Sequence, residues 1–236
     1  MKRVDVIIPI YYGNVDEIVP SVEEQLKFYE EYLRDYNWRI VIGINGPNKD
    51  GITDKGEYLS KKYKNVVYDY IEETGRGASL NRLFVNTNAD FVCYMDVDLS
   101  TGLDALPRML NELENYDVVV GSKYIKEAMN KRTPIRYILS RTYNSLFTKI
   151  ILKANFTDAQ CGFKGINVKI SKEIIPLMRD KGWFWDTEFL YIIQKKGYTF
   201  KEIPVNWVEK GNSGVKLLKT VMDFVIKTIR LRYRNL

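Results

Sequence analysis

Phe91–Val92–Cys93–Tyr94–Met95 runs without a polar break into Asp96–Val97–Asp98, followed by Leu99 and Ser100. A short apolar run closed by acids reads as a strand buried on both faces, the setting that a parallel sheet covered by helices provides. In extended backbone, residues two apart lie on the same side, so Asp96 and Asp98 can face one point at the strand's carboxyl end. Open α/β sheets bind their ligands at that end. Paired hard oxygen donors there suit Mg²⁺ or Mn²⁺, ions that are usually completed by substrate phosphate and water. A strand that simply ends in helix-capping aspartates is the competing reading, and the triplet alone leaves both open.

The flanking chain alternates in the same way. Apolar, β-rich runs over Val4–Ile10, Trp38–Ile44, Asn65–Ile71, Asp117–Gly121 and Cys161–Val168 predict strands, and Tyr198–Val205 predicts a short strand pair. Pro9 is expected to stop the first ladder, because it has no N–H to donate. Helical spacing covers Val15–Arg34, Ile52–Tyr63, a segment opened by Thr74–Gly75–Arg76–Gly77–Ala78, Leu103–Leu113, Pro134–Leu152, and the stretch from Trp183 to Lys196, with Asp186 or Thr187 as its cap. Strands alternating with helices predict an α/β fold: a mostly parallel central sheet flanked by helices and joined by right-handed crossovers.

The chain has no histidine, which excludes His-dependent nucleophile triads and His-based zinc sites. Its two cysteines, Cys93 and Cys161, form neither a disulfide framework nor a zinc spacing, in keeping with a reducing compartment. The net charge of +6 is unevenly placed: positions 123 to 153 carry +7, positions 215 to 236 carry +5, and the remainder is −6. Basic segments on an acidic body point to an anionic partner, whether lipid phosphate, a membrane surface or nucleic acid. Within Pro134–Leu152, Ile135, Ile138, Leu139, Leu146, Phe147, Ile150 and Ile151 share an apolar face, while Arg136, Ser140 and Asn144, with Arg141 beside them, lie on another. Val215–Tyr233 sets an apolar face (Leu218, Val221, Met222, Val225, Ile229) beside a stripe of Lys216, Lys219, Asp223, Lys227, Arg230 and Arg234. That pattern fits an interfacial membrane helix and a helix packed on the sheet or a partner equally well.

Taken in order, Val6–Ile7–Ile8–Pro9–Ile10–Tyr11, Gly75–Arg76–Gly77–Ala78, Met95–Asp96–Val97–Asp98–Leu99–Ser100, Gly121–Ser122–Lys123–Tyr124, Ser140–Arg141 with Asn144, Asp158 to Lys164, Trp183 to Glu188 and Glu202–Ile203–Pro204–Val205 resemble the motifs of family 2 glycosyltransferases. The likeness is to the polyprenyl- and dolichyl-phosphate glycosyltransferases, and in Cys161–Gly162–Phe163–Lys164 and the Trp-rich stretch to their dolichyl-phosphate glucosyltransferase branch. The chain departs from that pattern at Tyr12–Gly13 and Asn45–Gly46–Pro47, and Lys123 stands where an arginine is usual.

The resemblance implies a glycosyltransferase-A fold, with a catalytic domain over 1–212 and the basic amphipathic helix over 213–236. It implies a nucleotide-sugar donor, UDP-glucose ahead of GDP-mannose, and inverting transfer of a hexose to a lipid phosphate. Asp96 and Asp98 would hold Mg²⁺ or Mn²⁺. Pro9, Tyr11 and Asn45 would line the nucleotide; Gly75, Gly77 and Val97 would approach the donor; Asp186 and Glu188 would meet sugar hydroxyls. Lys123 and Arg141, with Arg136, would bind the acceptor phosphate, and Asp158 would orient acceptor or sugar. Ser213 and Lys216 would belong to a segment that closes on the donor. A phosphate monoester, with its second pKa of about 6, arrives largely ionised and needs no strong base. The implied location is cytoplasmic and peripheral at the membrane face, by direct contact or through a separate membrane partner. Transfer to a sugar, polysaccharide or protein hydroxyl, with Asp158 as base, is the nearest rival. A non-catalytic module for anionic membranes or nucleic acid is the rival from another class.

Overall fold

The computed structural model describes residues 1–131, 133–210 and 217–236. Its main sheet has seven strands in the order β3-β2-β1-β4-β7-β5-β8. These are β1 Lys2–Tyr11, β2 Tyr36–Asn45, β3 Val66–Ile71, β4 Phe91–Met95, β5 Val118–Ser122, β7 Phe163–Asn167 and β8 Phe200–Pro204. All neighbours pair in parallel except β7, which runs antiparallel between β4 and β5. Two further short strands, β6 Met129–Lys131 and β9 Asn206–Val208, pair with each other. The predicted strand pair at 198–205 is thus one strand in the main sheet, followed by a second that leaves it.

Residues alternate along β4 between two cores. Phe91, Cys93 and Met95 face the layer of α1 (Ile18–Tyr32), α2 (Ile52–Lys62) and α4 (Ala105–Glu112), whereas Val92 and Tyr94 face the layer of α3 (Arg76–Asn86), α6 (Val168–Ile174) and α7 (Trp185–Lys196). Both faces are covered, which explains why the strand has no polar position. Continued by one residue, the same alternation turns Asp96 toward α3 and α7.

Pro9 does not end β1: the ladder with β2 continues through Tyr11 opposite Asn45. On the other side, pairing with β4 stops at Ile7 opposite Tyr94, two residues before the proline, so its missing N–H costs that side no rung. The order reverses between β1 and β4, and the carboxyl ends of these two strands form the switch-point crevice where ligands of such sheets bind.

The predicted helix over 134–152 is α5 (Pro134–Thr142) continued as a π-helix over Tyr143–Leu152. The wider turn changes which residues face inward. Tyr143, Asn144, Thr148 and Leu152 are buried, while Ile135, Ile138, Leu146 and Ile150 of the expected apolar face are 47–68% exposed. The last helix, α8 (Leu217–Arg232), packs on this segment through Phe224, Thr228 and Leu231. Met222 and Ile229 of the apolar face read from the sequence point out. Both sets have helical spacing, so periodicity could not choose between them. The basic stripe is partly occupied within the fold, since Lys227 pairs with Asp180 and Asp223, and Arg234 pairs with Glu188. No helix among the described residues is long and apolar enough to cross a membrane.

Candidate active site

Strand β4 ends at Met95, and the chain then turns through Leu99, whose φ of +51° lies in the left-handed region. A branched side chain takes that conformation only at a cost, on the order of 1–2 kcal/mol. Asp98 accepts bonds from the backbone N–H and hydroxyl of Ser100, at 2.9 and 2.6 Å. Val97 is buried in the core and presents no side chain to a ligand.

Asp96 is held from two directions. Arg76 Nη1 lies 2.7 Å from its Oδ1. Gly162 lies against the carboxylate so closely that any Cβ there would collide with both oxygens. Burial pushes the Asp96 carboxyl up to about 6; Arg76 opposes this, and the charges of Asp98 and Asp186 add to it. The two carboxylates of the motif are therefore close enough to repel each other.

Beneath Asp96 is a cluster that sequence reasoning missed. The other arm of Arg76 bonds Asp186, which also accepts from Tyr94 and, at 2.6 Å, from Lys164 Nζ. Lys164 and Asp186 are both fully buried. Burial would raise the Asp186 carboxyl, but Arg76 and Lys164 together hold it below the usual carboxylate range. Its oxygens are already occupied, so Asp186 does not reach a sugar hydroxyl. It does not cap α7 either: the cap residue is Phe184, with no side-chain bond. Glu188 is likewise turned inward, accepting the Arg179 and Asp180 N–H groups and pairing with Arg234. The signal available is that Lys164 interrupts an otherwise uncharged strand, β7, and that Arg76 sits between two motif glycines at the start of α3. Only the fold shows that they meet one acid.

The glycines have a packing role. Gly75, at φ +139°, and Gly77 make room for the 180–181 backbone and for Trp185; the Lys181 carbonyl accepts the Ala78 N–H at 3.2 Å. What approaches them is the chain itself, where the sequence reading expected the donor. Asn45 is buried too, donating to the Ile10 carbonyl and accepting from the Gly75 N–H, so it ties β1 to α3 where a nucleotide contact was expected. Pro9 is buried inside β1, whereas Tyr11 is half-exposed, with its ring beside Tyr12 and over Gly46.

On its other side Asp96 borders a cavity of ≈ 150 Å³. Lys123 and Tyr124 from the end of β5, Asp158, Gln160 and Gly162 from the loop before β7, Ser140, Tyr143 and Asn144 from the helix, and Trp207 of β9 complete its wall. Lys123 Nζ pairs with Asp158 at 2.8 Å, and the Lys123 N–H donates to the same carboxylate at 3.0 Å. Burial opposes the lysine's charge, but Asp158 outweighs it and the Lys123 pKa is raised. Glu202 of β8 accepts bonds from the Thr157 and Asp158 N–H groups, and the Asn144 side chain accepts the Ala159 N–H, which fixes the turn that carries Asp158. Arg141 is exposed at the rim, 5.0 Å over the Tyr124 ring. The Arg136 side chain, Ser213 and Lys216 lie outside the described residues. The structure thus brings Asp96, Lys123 and Asp158 to one cavity with Arg141 at its edge, and takes Asn45, Gly75, Gly77, Val97, Asp186 and Glu188 into its supporting frame.

The described residues include no cluster of three or more His, Cys, Asp or Glu side chains able to hold a metal ion. Asp96 and Asp98 by themselves are a donor set of hard oxygens, which fits Mg²⁺ or Mn²⁺ completed by phosphate oxygens and water.

A family model described as glycosyl transferase family 2 matches residues 5–175. Among curated proteins, the chain is 26% identical over 230 residues to glycosyltransferase AglD of Haloferax volcanii, covering 97% of this chain but 36% of that protein. It is 28% identical over 235 residues to the dolichyl-phosphate beta-glucosyltransferase ALG5A of Trichomonas vaginalis, covering 93% of this chain and 71% of the relative. With the dolichyl-phosphate beta-glucosyltransferase of Saccharomyces cerevisiae it shares 24% identity, over 97% of this chain and 74% of the relative. The chain therefore spans about a third of the first of these relatives and nearly three quarters of the other two. Among solved structures, glucosyl-3-phosphoglycerate synthase of Mycobacterium tuberculosis in complex with UDP superposes with a TM-score of 0.69 at 14% identity, over 98% of this chain and 80% of that one. The same enzyme with Mn²⁺, UDP-glucose and glycerol 3-phosphate gives 0.67 at 15% identity, over 98% and 80%. At that identity the likeness shows the fold, a mostly parallel sheet flanked by helices.

Proposed function

The chain belongs to glycosyl transferase family 2, and from that premise we propose that it transfers glucose from UDP-glucose to a polyprenyl or dolichyl phosphate, with inversion, at the face of a membrane. One observation carries the lipid-phosphate reading. The helical segment 134–152 builds one wall of the cavity with Ser140, Tyr143 and Asn144, and exposes Ile138, Leu146 and Ile150 on another side. Met222 and Ile229 are exposed on α8, the helix that packs on this segment, and Arg141 and Lys149 of the segment, Lys153 just after it and Arg230 of α8 are exposed as well. Apolar side chains together with basic ones suit a lipid surface with anionic headgroups. An acceptor whose chain lies in that surface would present its phosphate to Lys123 and Arg141.

In this reading Asp96 and Asp98 would hold the divalent ion, which would supply positive charge to offset what builds on the departing nucleotide diphosphate. Lys123, kept charged by Asp158, binds the acceptor phosphate and sets one of its oxygens in line with the anomeric carbon. Bringing two charged reactants into line is itself worth several kcal/mol, on the order of 7–11 at best. The oxygen attacks, the bond to the diphosphate breaks, and a single displacement inverts the centre without a base. Transfer to a hydroxyl acceptor would ask Asp158 to take a proton, yet its oxygens are already engaged by Lys123 and by the Gln160 N–H. The dolichyl-phosphate beta-glucosyltransferase relatives favour glucose and dolichyl phosphate, and the UDP complexes of the structural neighbour favour UDP.

The test supplies Mg²⁺ or Mn²⁺ and a short polyprenyl phosphate, with UDP-glucose and GDP-mannose in separate reactions, and measures free nucleotide diphosphate. Lipid-dependent release of UDP is the expected result, abolished in Asp98→Ala while the circular dichroism spectrum is unchanged. Lipid-dependent release of GDP would move the donor to GDP-mannose, and release independent of lipid would overturn the acceptor.

A further inference from the structure

The Arg76 guanidinium bridges two acids with different surroundings. Asp186 is fully buried and has a second cation, Lys164. Asp96 has about a third of its side chain exposed and faces the cavity. Arg76 itself is 9% exposed at the side chain, lies over the Trp183 ring at 4.7 Å, and leaves its buried Nε–H without an acceptor. Arg76, Lys164, Asp96 and Asp186 together carry two positive and two negative charges. The second carboxylate of the motif, Asp98, is bonded to the neutral Ser100. A cation arriving alone thus meets an Asp96 already neutralised by a fixed neighbour, and only the charge of Asp98 remains to attract it. An anionic diphosphate arriving with the cation changes that balance, because it supplies further charge and further oxygen ligands.

We infer that Arg76 is an internal counter-ion and positioning residue for Asp96, which makes the carboxylate pair a weak site for a divalent cation alone and a strong one for the cation together with a nucleotide diphosphate. The inference rests on the proposed role of Asp96 and Asp98 as metal carboxylates. It goes beyond that role by making metal and nucleotide binding mutually dependent through a residue that is not itself a metal ligand. The dependence is reciprocal, since whatever tightens the metal in the presence of nucleotide tightens nucleotide in the presence of metal by the same factor.

The experiment titrates the protein with Mn²⁺ alone, reading free Mn²⁺ by electron paramagnetic resonance, and repeats the titration with UDP. Arg76→Met is expected to bind Mn²⁺ alone about tenfold more tightly than the unmodified protein, the scale set by loss of one charge-assisted bond that competes for the carboxylate. The further gain on adding UDP shrinks accordingly, and Arg76→Lys, which keeps the charge, stays near the unmodified protein. Because Arg76 also supports the buried Asp186, the pair Arg76→Met with Asp186→Asn, which removes one charge of each sign, provides a second protein in which the same tightening is expected. Equal Mn²⁺ affinity with and without Arg76, while Asp98→Asn weakens binding in both, would overturn the counter-ion role and leave the metal assignment standing. Mn²⁺ binding indifferent to Asp98→Asn would remove the carboxylate pair as the metal site, and the inference with it.

Discussion

Two ion pairs flank Asp96, and they differ in what lies beyond them. On the side of α3 and α7, Asp186 is enclosed by Arg76, Lys164 and Tyr94 with no exposure at all. On the side of the cavity, Lys123 and Asp158 are nearly as buried, but both line open space. Asp186 is closed to any ligand, so its part is structural: with Arg76, Lys164 and Tyr94 it joins β4, β7, α3 and α7 at one point and, through Arg76, fixes Asp96. The second pair has a face left for a ligand. Burial alone does not separate a supporting charge from a working one; the presence of accessible volume beside it does.

The comparison breaks first if the enclosed pair is dispensable. Asp186→Ala leaves Lys164 as an uncompensated buried cation and Arg76 with Asp96 alone, and removing one partner of such a buried pair costs about 3–5 kcal/mol. Urea unfolding should show that loss, and a midpoint unchanged from the parent would mean the cluster is solvated. Lys123→Ala should cost less stability, about 1–3 kcal/mol, because Asp158 keeps its backbone N–H donors and can be reached by water from the cavity. It should instead raise the acceptor concentration needed for half-maximal rate, with donor binding by calorimetry unaltered.

Acidity sharpens the same contrast. Asp96 titrates near 6 in the folded chain against an ordinary value of 3.8. Its raised value means that the folded state holds the proton more tightly than the unfolded state. The metal-free protein therefore loses stability as pH rises from about 4 through about 6, and is insensitive to this group above that range. Asp96→Asn should flatten that slope in thermal melts recorded across the window. The smallest effect is expected at the rim. Arg141 is exposed and stacks on Tyr124, so Arg141→Ala should raise the acceptor requirement a few-fold, consistent with roughly 1 kcal/mol for a screened charge, and leave the melting temperature in place. An unchanged acceptor response would take Arg141 out of the site.

A comparable division runs through the apolar faces. Along β4 there is no outward face to assign, because both sides of the strand are covered and every residue is apolar. Along 134–152 and 217–232 there is one. The π-helical turns after Thr142 change the period that an α-helical reading assumes, and α8 turns Phe224, Thr228 and Leu231 inward and leaves Met222 and Ile229 exposed. The apolar residues left outside are those on which the proposed lipid contact rests.

The sequence by itself determined the alternation of strands and helices, the buried strand that ends in Asp96–Val97–Asp98, the placement of Lys123 and Asp158 in motifs of one family, and the exclusion of histidine chemistry. These follow from composition and short-range periodicity, which act within a few residues of one another. Only the tertiary structure decided that β7 runs antiparallel, that Asn45, Gly75 and Gly77 serve chain packing, and that Asp186 and Glu188 turn inward. It alone brought Arg76 and Lys164, 88 positions apart in the sequence, to one carboxylate. The physical reason is that an acid's role depends on which cation reaches it and whether water can follow, and both are set by contacts between residues far apart in the chain.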